Sequence, residues 1–322
     1  MDLYTRLGKL SKKKNKTIIF PESYDERVNT AVKIILKEKL AKIILISERN
    51  IEHSIAPDKN LTIIDEAFSS QFLRSYHAIK TSKKKDYELS KSESDIRDPL
   101  TFSCILLKNN YADGIIAGSV YSSTEVIRNA ISIIGVSKNN KTVSSFFLFT
   151  FPEKNFHHDK VFAYADCGVI PFPDAEQLSD IAIQTANSFK KLTGIRPRVA
   201  FLSFSTKGSA KDESINKILK AYELTKINTP SLVCDAELQF DAAFVKEVAA
   251  RKNPLGKIKG DANVFIFPDL NSGNIAYKIT ERIGGATATG PILQGLSKPV
   301  MDLSRGCKAE DIINMTKVIS NL

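Results

Sequence analysis

The pattern that most constrains the fold is a strand–helix–strand alternation near the start of the chain. A short apolar run at 17–20 precedes a helical pattern over 26–40, and β-rich runs follow at 42–46 and 61–64. Two strands separated by a helix of this length lie parallel, because an antiparallel pair needs only a short turn. The sequence therefore predicts an α/β fold built on a parallel sheet.

A second set of α/β elements begins near Thr142. Two β-rich runs, 143–150 and 161–166, follow one another as a hairpin would, and a helical pattern spans 174–192. Three later strands each end in a polar, turn-forming cluster, and these strands are 199–204, 232–239 and 263–267. Repeated polar clusters at equivalent strand ends favour one shared ligand cleft.

Charge and motif spacing exclude several classes of protein. The net charge is +10, but its lysine runs at 12–14, 83–85 and 190–191 carry no interleaved aromatic side chains. A single-strand nucleic-acid binder needs such aromatics, so these runs are interpreted as solvated surface and no nucleic-acid partner is expected.

Neither the cysteines nor the histidines have the spacing of a metal site or a disulfide framework. The four cysteines are far apart, and they are Cys104, Cys167, Cys234 and Cys307. No metal is expected. The first six residues contain no apolar signal segment, and no run of 18 apolar residues occurs, so a cytoplasmic protein without a membrane span is expected.

The richest candidate site lies between residues 290 and 311. Ser304 and Arg305 precede a helical pattern from about Lys308 to Ile319. A helix entrance favours an anion, and an arginine adds donors that match phosphate or carboxylate. Asp311 would share a face with Ser304 if the whole stretch were helical. The alternative is a capping serine, a surface arginine and an acid that complements the helix dipole.

Two further segments have the composition of anion sites. Residues 122–124 can cap a helix through Ile134, in which Arg128 lies one turn from the start. After the strand 199–204 comes a small, hydroxylated and basic loop, Ser205, Thr206, Lys207, Gly208 and Ser209. This composition suits a phosphate-cradling turn, although the Walker A order is absent. An ordinary polar loop with an exposed lysine is the alternative.

Seven motifs in order resemble the phosphate acetyltransferase family, also called phosphotransacetylases, over essentially the whole chain. They are Pro21-Glu22, Ala112-Asp113-Gly114, residues 205–209, 235–239, 265–274, 290–295 and 302–307. The resemblance implies two α/β domains with a cleft between them, similar to isocitrate and isopropylmalate dehydrogenases. It places residues 1–141 and 290–322 in domain 1 and 142–289 in an inserted domain 2.

The resemblance also implies a reaction and its partners. The family interconverts acetyl-CoA plus phosphate with coenzyme A plus acetyl phosphate, usually as a homodimer. Coenzyme A is a substrate, and no separate cofactor is expected.

By motif, Ser304, Arg305 and Asp311 match the catalytic residues of the family, and Arg128 matches an arginine of its anion site. In the implied ternary complex, Asp311 takes the thiol proton, Ser304 donates to the developing oxyanion, and the two arginines hold phosphate. The residues expected to contact phosphate or substrate are Ser205, Thr206, Lys207, Gly208, Ser209, Asn271, Gln294 and Gly295.

The chain departs from the family pattern at two positions. Ser82 stands where an arginine is common in the family. The next residues, Lys83, Lys84 and Lys85, are expected to contact coenzyme A, although a lysine lacks the bidentate fork of an arginine. Tyr121 stands where a histidine is usual.

Two residue roles and three alternative functions stay open. Asp311 is a weak base for a thiol, so it acts either as a base or as an orienting group. Cys307 is either a packed thiol or an acyl-enzyme nucleophile with ping-pong kinetics. A phosphate butyryltransferase would differ only in its acyl pocket. A dehydrogenase of the isocitrate type would need a GxGxxG dinucleotide motif or a cluster of aspartates for a metal, and the sequence has neither. A non-catalytic binding protein on the same fold would not need Ser304, Arg305, Asp311 and Arg128 together.

Overall fold

The computed structural model describes residues 2–47, 55–151 and 161–322. The chain divides into two compact units, Met1–Ser137 with Leu296–Leu322, and Lys138–Gly295. None of the helices within these described ranges is both long enough and apolar enough to span a membrane.

Strands and helices alternate along most of the described chain. The strands are β1 (Thr17–Phe20), β2 (Lys42–Ser47), β3 (Leu61–Asp65), β4 (Gly114–Ala117), β5 (Ser144–Thr150), β6 (Val161–Ala165), β7 (Arg198–Leu202), β8 (Val233–Leu238), β9 (Val264–Ile266), β10 (Thr287–Gln294) and β11 (Val300–Asp302). The α-helices are α1 (Leu3–Lys14), α2 (Glu26–Glu38), α3 (Leu73–Lys83), α4 (Leu89–Asp95), α5 (Pro99–Lys108), α6 (Ser123–Asn129), α7 (Ala175–Thr193), α8 (Glu213–Asn228), α9 (Phe240–Phe244), α10 (Lys246–Lys252), α11 (Leu270–Arg282) and α12 (Ala309–Ile319). A 3₁₀ helix spans Glu66–Phe72, and a π-helical turn, Ala130–Ile134, extends α6.

The first unit contains the parallel sheet that the sequence predicts. Its strand order is β11-β4-β1-β2-β3, and every pairing is parallel. The helix α5 packs against β1, β2 and β4, while α12 contacts β4, β11 and α2. All four residues of β4 are buried, as expected for a parallel strand covered on both faces.

The second unit has a mixed six-stranded sheet in the order β10-β5-β6-β9-β7-β8. The pairs β10–β5 and β5–β6 are antiparallel, which confirms the hairpin-like pattern of the sequence, and the remaining pairs are parallel. Aromatic side chains fill much of its core, including Phe149, Phe162 and Phe265. Both units are α/β, so the predicted fold class is confirmed.

The predicted return to domain 1 at residue 290 falls inside β10. This strand pairs with β5 from Thr287 to Gln294, with a register shift between Thr289 and Ile292. Gly290 and Pro291 lie at that shift, so these turn-type residues form an irregularity within a strand. The chain re-enters the first unit at Leu296.

Local capping signals explain where the helices of the first unit begin. Asp98 caps α5 and is followed by Pro99 in its first turn, where proline is tolerated. Ser122 and Glu125 form a reciprocal capping box at the start of α6. The predicted helix through Ile134 is therefore present, although its last five residues adopt the wider π turn.

Candidate active site

The carboxylate of Glu22 organises the turn that follows β4. It accepts hydrogen bonds from the N–H groups of Gly118, Ser119, Val120 and Tyr121 at 2.7 to 3.2 Å and from the Ser119 hydroxyl at 2.8 Å. Glu22 is buried, and successive N–H groups around one carboxylate form an anion nest. This bonding fixes the direction in which the chain enters α6.

Arg128 and Arg305 both act on the carboxylate of Glu125 in the first turn of α6. The hydrogen bond from the Ser122 hydroxyl lowers the Glu125 pKa most, and the charges of the two arginines lower it further. Both arginines are exposed. Neither guanidinium makes a hydrogen bond or ion pair with another residue of the described ranges, so both keep free donors beside the helix start.

Ser304 and Arg305 lie in a tight turn between β11 and α12. The Ser304 carbonyl accepts from the Cys307 N–H at 2.8 Å, and its hydroxyl accepts from the Gly306 N–H at 3.2 Å. Ser304 and Arg305 are exposed. The helix begins at Ala309, so Ser304 lies outside it, and the condition under which Ser304 and Asp311 would share one helical face is not met.

Asp311 lies in the first turn of α12. One of its carboxylate oxygens accepts from the Lys308 N–H at 2.8 Å, which satisfies a backbone donor at the helix start. The side chain is exposed. In this structure its contacts are therefore those of an acid that complements its own helix entrance.

These segments are supported by Glu22, Arg27 and Asp302, none of which was assigned a role from the sequence alone. Pro21-Glu22 stands directly after β1, and a polar residue at the carboxyl end of a buried strand is a usable sequence signal. Arg27 carries no comparable signal, because it is one charged residue in the amphipathic pattern of α2. Its guanidinium donates to the carbonyl oxygens of Ser119, Arg305 and Cys307.

Asp302 is a fully buried carboxyl group two residues before Ser304. Burial raises its pKa to about 7, the nearby charge of Glu22 contributes in the same direction, and the Ser123 hydroxyl opposes them. Neither carboxyl oxygen makes a hydrogen bond of normal geometry with a described residue. A Cβ atom on Gly118 would lie 2.5 Å from one of these oxygens, so only glycine fits the turn here.

Cys307 is a packed thiol in this structure. Burial raises its pKa to about 11, although the charge of Arg27 acts against this shift. A thiolate is the reactive form of cysteine, so these surroundings favour the packed alternative over the nucleophile.

The predicted phosphate loop of the second unit uses its donors internally. The buried carboxylate of Glu237 accepts from the Ser205 hydroxyl at 2.7 Å and from the Gly208 N–H at 2.6 Å. The Lys207 ammonium lies 2.5 Å from a carboxylate oxygen of Asp235. These contacts support a structural role in joining the ends of β7 and β8.

The other predicted contacts of the loop are likewise intramolecular. The Ser209 hydroxyl accepts from the Thr206 N–H at 3.0 Å, and the Thr206 hydroxyl accepts from the Gln239 N–H at 3.0 Å. Phosphate binding by residues 205–209 stays a prediction.

The remaining predicted substrate residues of the second unit differ in exposure. Gln294 is buried, and its amide donates to the Ser144 and Thr185 hydroxyls at 2.9 Å each. Gly295 has φ +89°, and a Cβ there would lie 2.1 Å from the Thr142 carbonyl oxygen. Asn271 is exposed in the first turn of α11.

The lysines expected to contact coenzyme A lie at the end of α3. Lys83, Lys84 and Lys85 are exposed, and the Lys83 ammonium donates to the Ile131 carbonyl at 3.3 Å. Ser82 is exposed as well, and its hydroxyl donates to the Ile79 carbonyl within the helix.

Tyr121 has a structural explanation. Its phenol donates to the carboxylate of Asp98 at 2.7 Å and thus ties the turn after β4 to the cap of α5. Burial raises the Tyr121 pKa well above its usual value, so the phenol stays protonated. No group of three or more potential metal ligands occurs within the described ranges.

Comparisons with known proteins cover nearly the whole chain. A sequence profile of the family described as phosphate acetyl/butaryl transferase matches residues 2–319. The phosphate acetyltransferase of Acetivibrio thermocellus is 44% identical over 307 residues, covering 94% of this chain and 92% of the relative. That of Clostridium acetobutylicum is 40% identical over 326 residues, covering 99% and 97%.

A solved structure agrees with these sequence matches. The crystal structure of a phosphotransacetylase from Streptococcus pyogenes superimposes with a TM-score of 0.90 at 36% identity, covering 99% of this chain and 97% of that one. The chain therefore belongs to the phosphate acetyl/butaryl transferase family of acyltransferases.

Proposed function

We propose that this protein catalyses the reversible transfer of an acetyl group between coenzyme A and inorganic phosphate. The observation that carries the proposal is the pair of exposed guanidinium groups, Arg128 and Arg305, beside one helix start and next to the exposed hydroxyl of Ser304. Two arginines with free donors suit a phosphate dianion. The relatives named phosphate acetyltransferase span almost the same length as this chain.

In the direction of acetyl-CoA synthesis, the reaction proceeds in a ternary complex. The coenzyme A sulfur attacks the carbonyl carbon of acetyl phosphate as a thiolate, and Asp311 either accepts the thiol proton or orients the thiolate. The new C–S bond forms and the C–O bond to phosphate breaks. The phosphate takes up the proton that the thiol lost and leaves between Arg128 and Arg305. The Ser304 hydroxyl donates a hydrogen bond to the carbonyl oxygen while it carries negative charge.

Proton transfer to Asp311 is the step that most needs support from its surroundings. A free thiol has a pKa of about 8.5 and a free aspartate one of about 3.9, so the unassisted transfer is uphill by roughly 6 kcal/mol. Burial is one way to strengthen a carboxylate as a base, but Asp311 is exposed. Orientation of a thiolate that nearby cations stabilise is the role that these surroundings favour.

The packed state of Cys307 supports direct transfer over an acyl-enzyme. Its thiol is buried and its pKa is raised to about 11, so attack on an acyl group would first require an unfavourable ionisation. A ternary complex needs no enzyme nucleophile.

The function is tested by following coenzyme A release from acetyl-CoA with phosphate, and from butyryl-CoA in parallel, without NAD. We expect acetyl-CoA to be the better substrate and the initial-rate lines to intersect. A preference for butyryl-CoA would move the assignment to the butyryl branch of the family, and inactivity with both would refute it. Exchange of labelled phosphate into acetyl phosphate without coenzyme A would contradict the ternary complex.

The finer properties implied by the family resemblance belong to the same proposal. We propose a cytoplasmic homodimer with an inserted second domain, coenzyme A as a substrate, and no metal or other cofactor. Light scattering would test the dimer, and full activity after treatment with a chelator would be expected. A marked rise in the KM for coenzyme A on replacing Lys83, Lys84 and Lys85 together by glutamine would support their contact with its phosphates.

A further inference from the structure

The guanidinium group of Arg27 uses all of its N–H donors on the protein. Its Nε–H and one terminal N–H pair with the carboxylate of Asp25 at 2.6 to 3.2 Å. The other terminal nitrogen contacts the carbonyl oxygens of Arg305 and Cys307 at 2.7 and 3.1 Å, and the last donor reaches the Ser119 carbonyl at 2.8 Å. A guanidinium has five N–H groups, so this one is saturated.

Saturation separates Arg27 from the two arginines assigned to phosphate. The guanidinium groups of Arg128 and Arg305 have no hydrogen-bond partner among the residues that the structure describes, whereas Arg27 has no donor left for a substrate. A bound anion would have to displace a carbonyl oxygen or Asp25 before it could reach Arg27. Arg27 therefore connects backbone segments of the protein, a role that suits the planar fork of donors on a guanidinium.

The turn that Arg27 contacts has little other support. Within residues 304–307 the backbone bonds are local, between Ser304 and Gly306 or Cys307. The hydrogen bonds that reach this turn from the rest of the described chain come from Arg27. Its partner on the other side, Ser119, belongs to the turn that Glu22 holds rigidly.

Asp25 holds the guanidinium group of Arg27 in place. Its carboxylate also accepts from the Arg27 N–H at 2.8 Å and so caps α2. Burial acts to raise the pKa of Asp25, but the hydrogen bonds from Arg27 outweigh it and hold the pKa below its usual value. The pair therefore stays ionised across the neutral range.

We propose that Arg27 is a positioning residue that holds the Ser304–Cys307 turn against the turn after β4 and so sets the distance between Ser304, Arg305 and Arg128. This inference rests on the proposed function, since it deepens the account of the same site. It assigns no substrate contact to Arg27.

The test compares Arg27→Gln and Arg27→Lys with a matched control, Arg198→Gln. Arg198 also donates to backbone carbonyls, those of Asp261 and Arg196, and pairs with the carboxylate of Asp261. It lies at the start of β7 in the second unit. Removing Arg198 therefore removes the same kind of bonds without touching the Ser304–Cys307 turn.

For Arg27→Gln we expect kcat to fall roughly 100-fold, the usual size of a small misplacement of reacting groups. The KM for phosphate should stay within about twofold, because a saturated guanidinium contributes no donor to the substrate. Arg27→Lys keeps the charge but loses the fork, so an intermediate kcat is expected. Hydrogen exchange in a peptide spanning residues 303–308 should become faster in both variants and stay unchanged in Arg198→Gln.

Two results would overturn the inference. The first is a wild-type kcat in both Arg27 variants. The second is a rise of more than about tenfold in their KM for phosphate, which would make Arg27 a substrate ligand. If Arg27→Gln does not fold, Arg27→Lys carries the same comparison. An inactive wild-type protein would refute the proposed function instead, and the exchange measurement would still decide whether Arg27 holds the turn.

Discussion

Replacing Asp302 by asparagine should remove a pH dependence from the stability of the first unit. Burial, with a contribution from the charge of Glu22, raises the Asp302 pKa to about 7 from a reference value of 3.8. A carboxyl group whose pKa is raised by folding stabilises the folded state fully below the unfolded pKa. That stabilisation is lost as the pH rises towards the folded pKa, because the unfolded chain then holds fewer protons.

The size of the effect follows from the two pKa values. At pH 5 the folded state keeps the proton on Asp302 and the unfolded chain does not, whereas at pH 8 both states are ionised. Each pH unit in between removes about 1.4 kcal/mol per proton. Asp302 should therefore lower the free energy of unfolding by roughly 3 kcal/mol between pH 5 and pH 8. The amide side chain of the Asp302→Asn variant resembles the protonated carboxyl group and does not titrate, so this contribution disappears.

The assay is urea unfolding at pH 5 and pH 8, followed by far-ultraviolet circular dichroism because the chain contains no tryptophan. Hydrogen exchange in peptides of the second unit serves as an internal reference. Asp113→Asn is the control, since the pKa of Asp113 is lowered by its hydrogen bonds to Lys16 and Thr17 despite partial burial. It should change stability by a similar amount at both pH values.

The decisive quantity is the difference between the pH responses of wild type and variant. The reasoning would be refuted if the free energy of unfolding changed equally with pH in both proteins. It would also be refuted if the wild-type first unit became more stable from pH 5 to pH 8 relative to Asp302→Asn.

Three further predictions concern neighbouring groups. Glu22→Gln should destabilise the first unit by roughly 3 kcal/mol, because an amide cannot accept from four N–H groups and a hydroxyl; a loss below about 1 kcal/mol in urea titrations would contradict this. Cys307→Ala should keep kcat within about threefold, since a buried thiol is inert, and complete inactivity of a folded variant would restore the nucleophile hypothesis. Asp311→Asn should lower kcat by roughly 10- to 100-fold. If Asp311 mainly orients the thiolate, the ionisation limb of the pH–rate profile should be unchanged in this variant, whereas loss of that limb would establish a general base.

Much of the architecture was predictable because its signals are local. The alternation of apolar runs and helical periodicity indicated a parallel sheet, and β1 and β2 pair in parallel as expected. The cap predicted at residues 122–124 marked the start of α6, since the N–H that the Ser122 hydroxyl satisfies lies within three residues. The helix from about Lys308 was predicted within one residue of its start at Ala309.

Other features were ambiguous in the sequence because one sequence signal fits two structures. Gly290 and Pro291 suggested a domain boundary, yet they form an irregularity inside β10. The loop around Lys207 has the composition of a phosphate cradle, but the nearby carboxylates of Asp235 and Glu237 take up its donors. Composition counts donors and does not reveal which acceptor each one finds.

The sequence by itself determined the fold class, the family and the candidate residues Ser304, Arg305, Asp311 and Arg128. Only the tertiary structure decided that burial raises the pKa of Asp302 to about 7 and that the guanidinium of Arg27 uses all of its donors on the protein. The physical reason is separation along the chain: Glu22 and its N–H donors are 96 to 99 residues apart, and Arg27 and the Arg305 carbonyl are 278 apart. Strand order brings such partners together, and no local pattern records it.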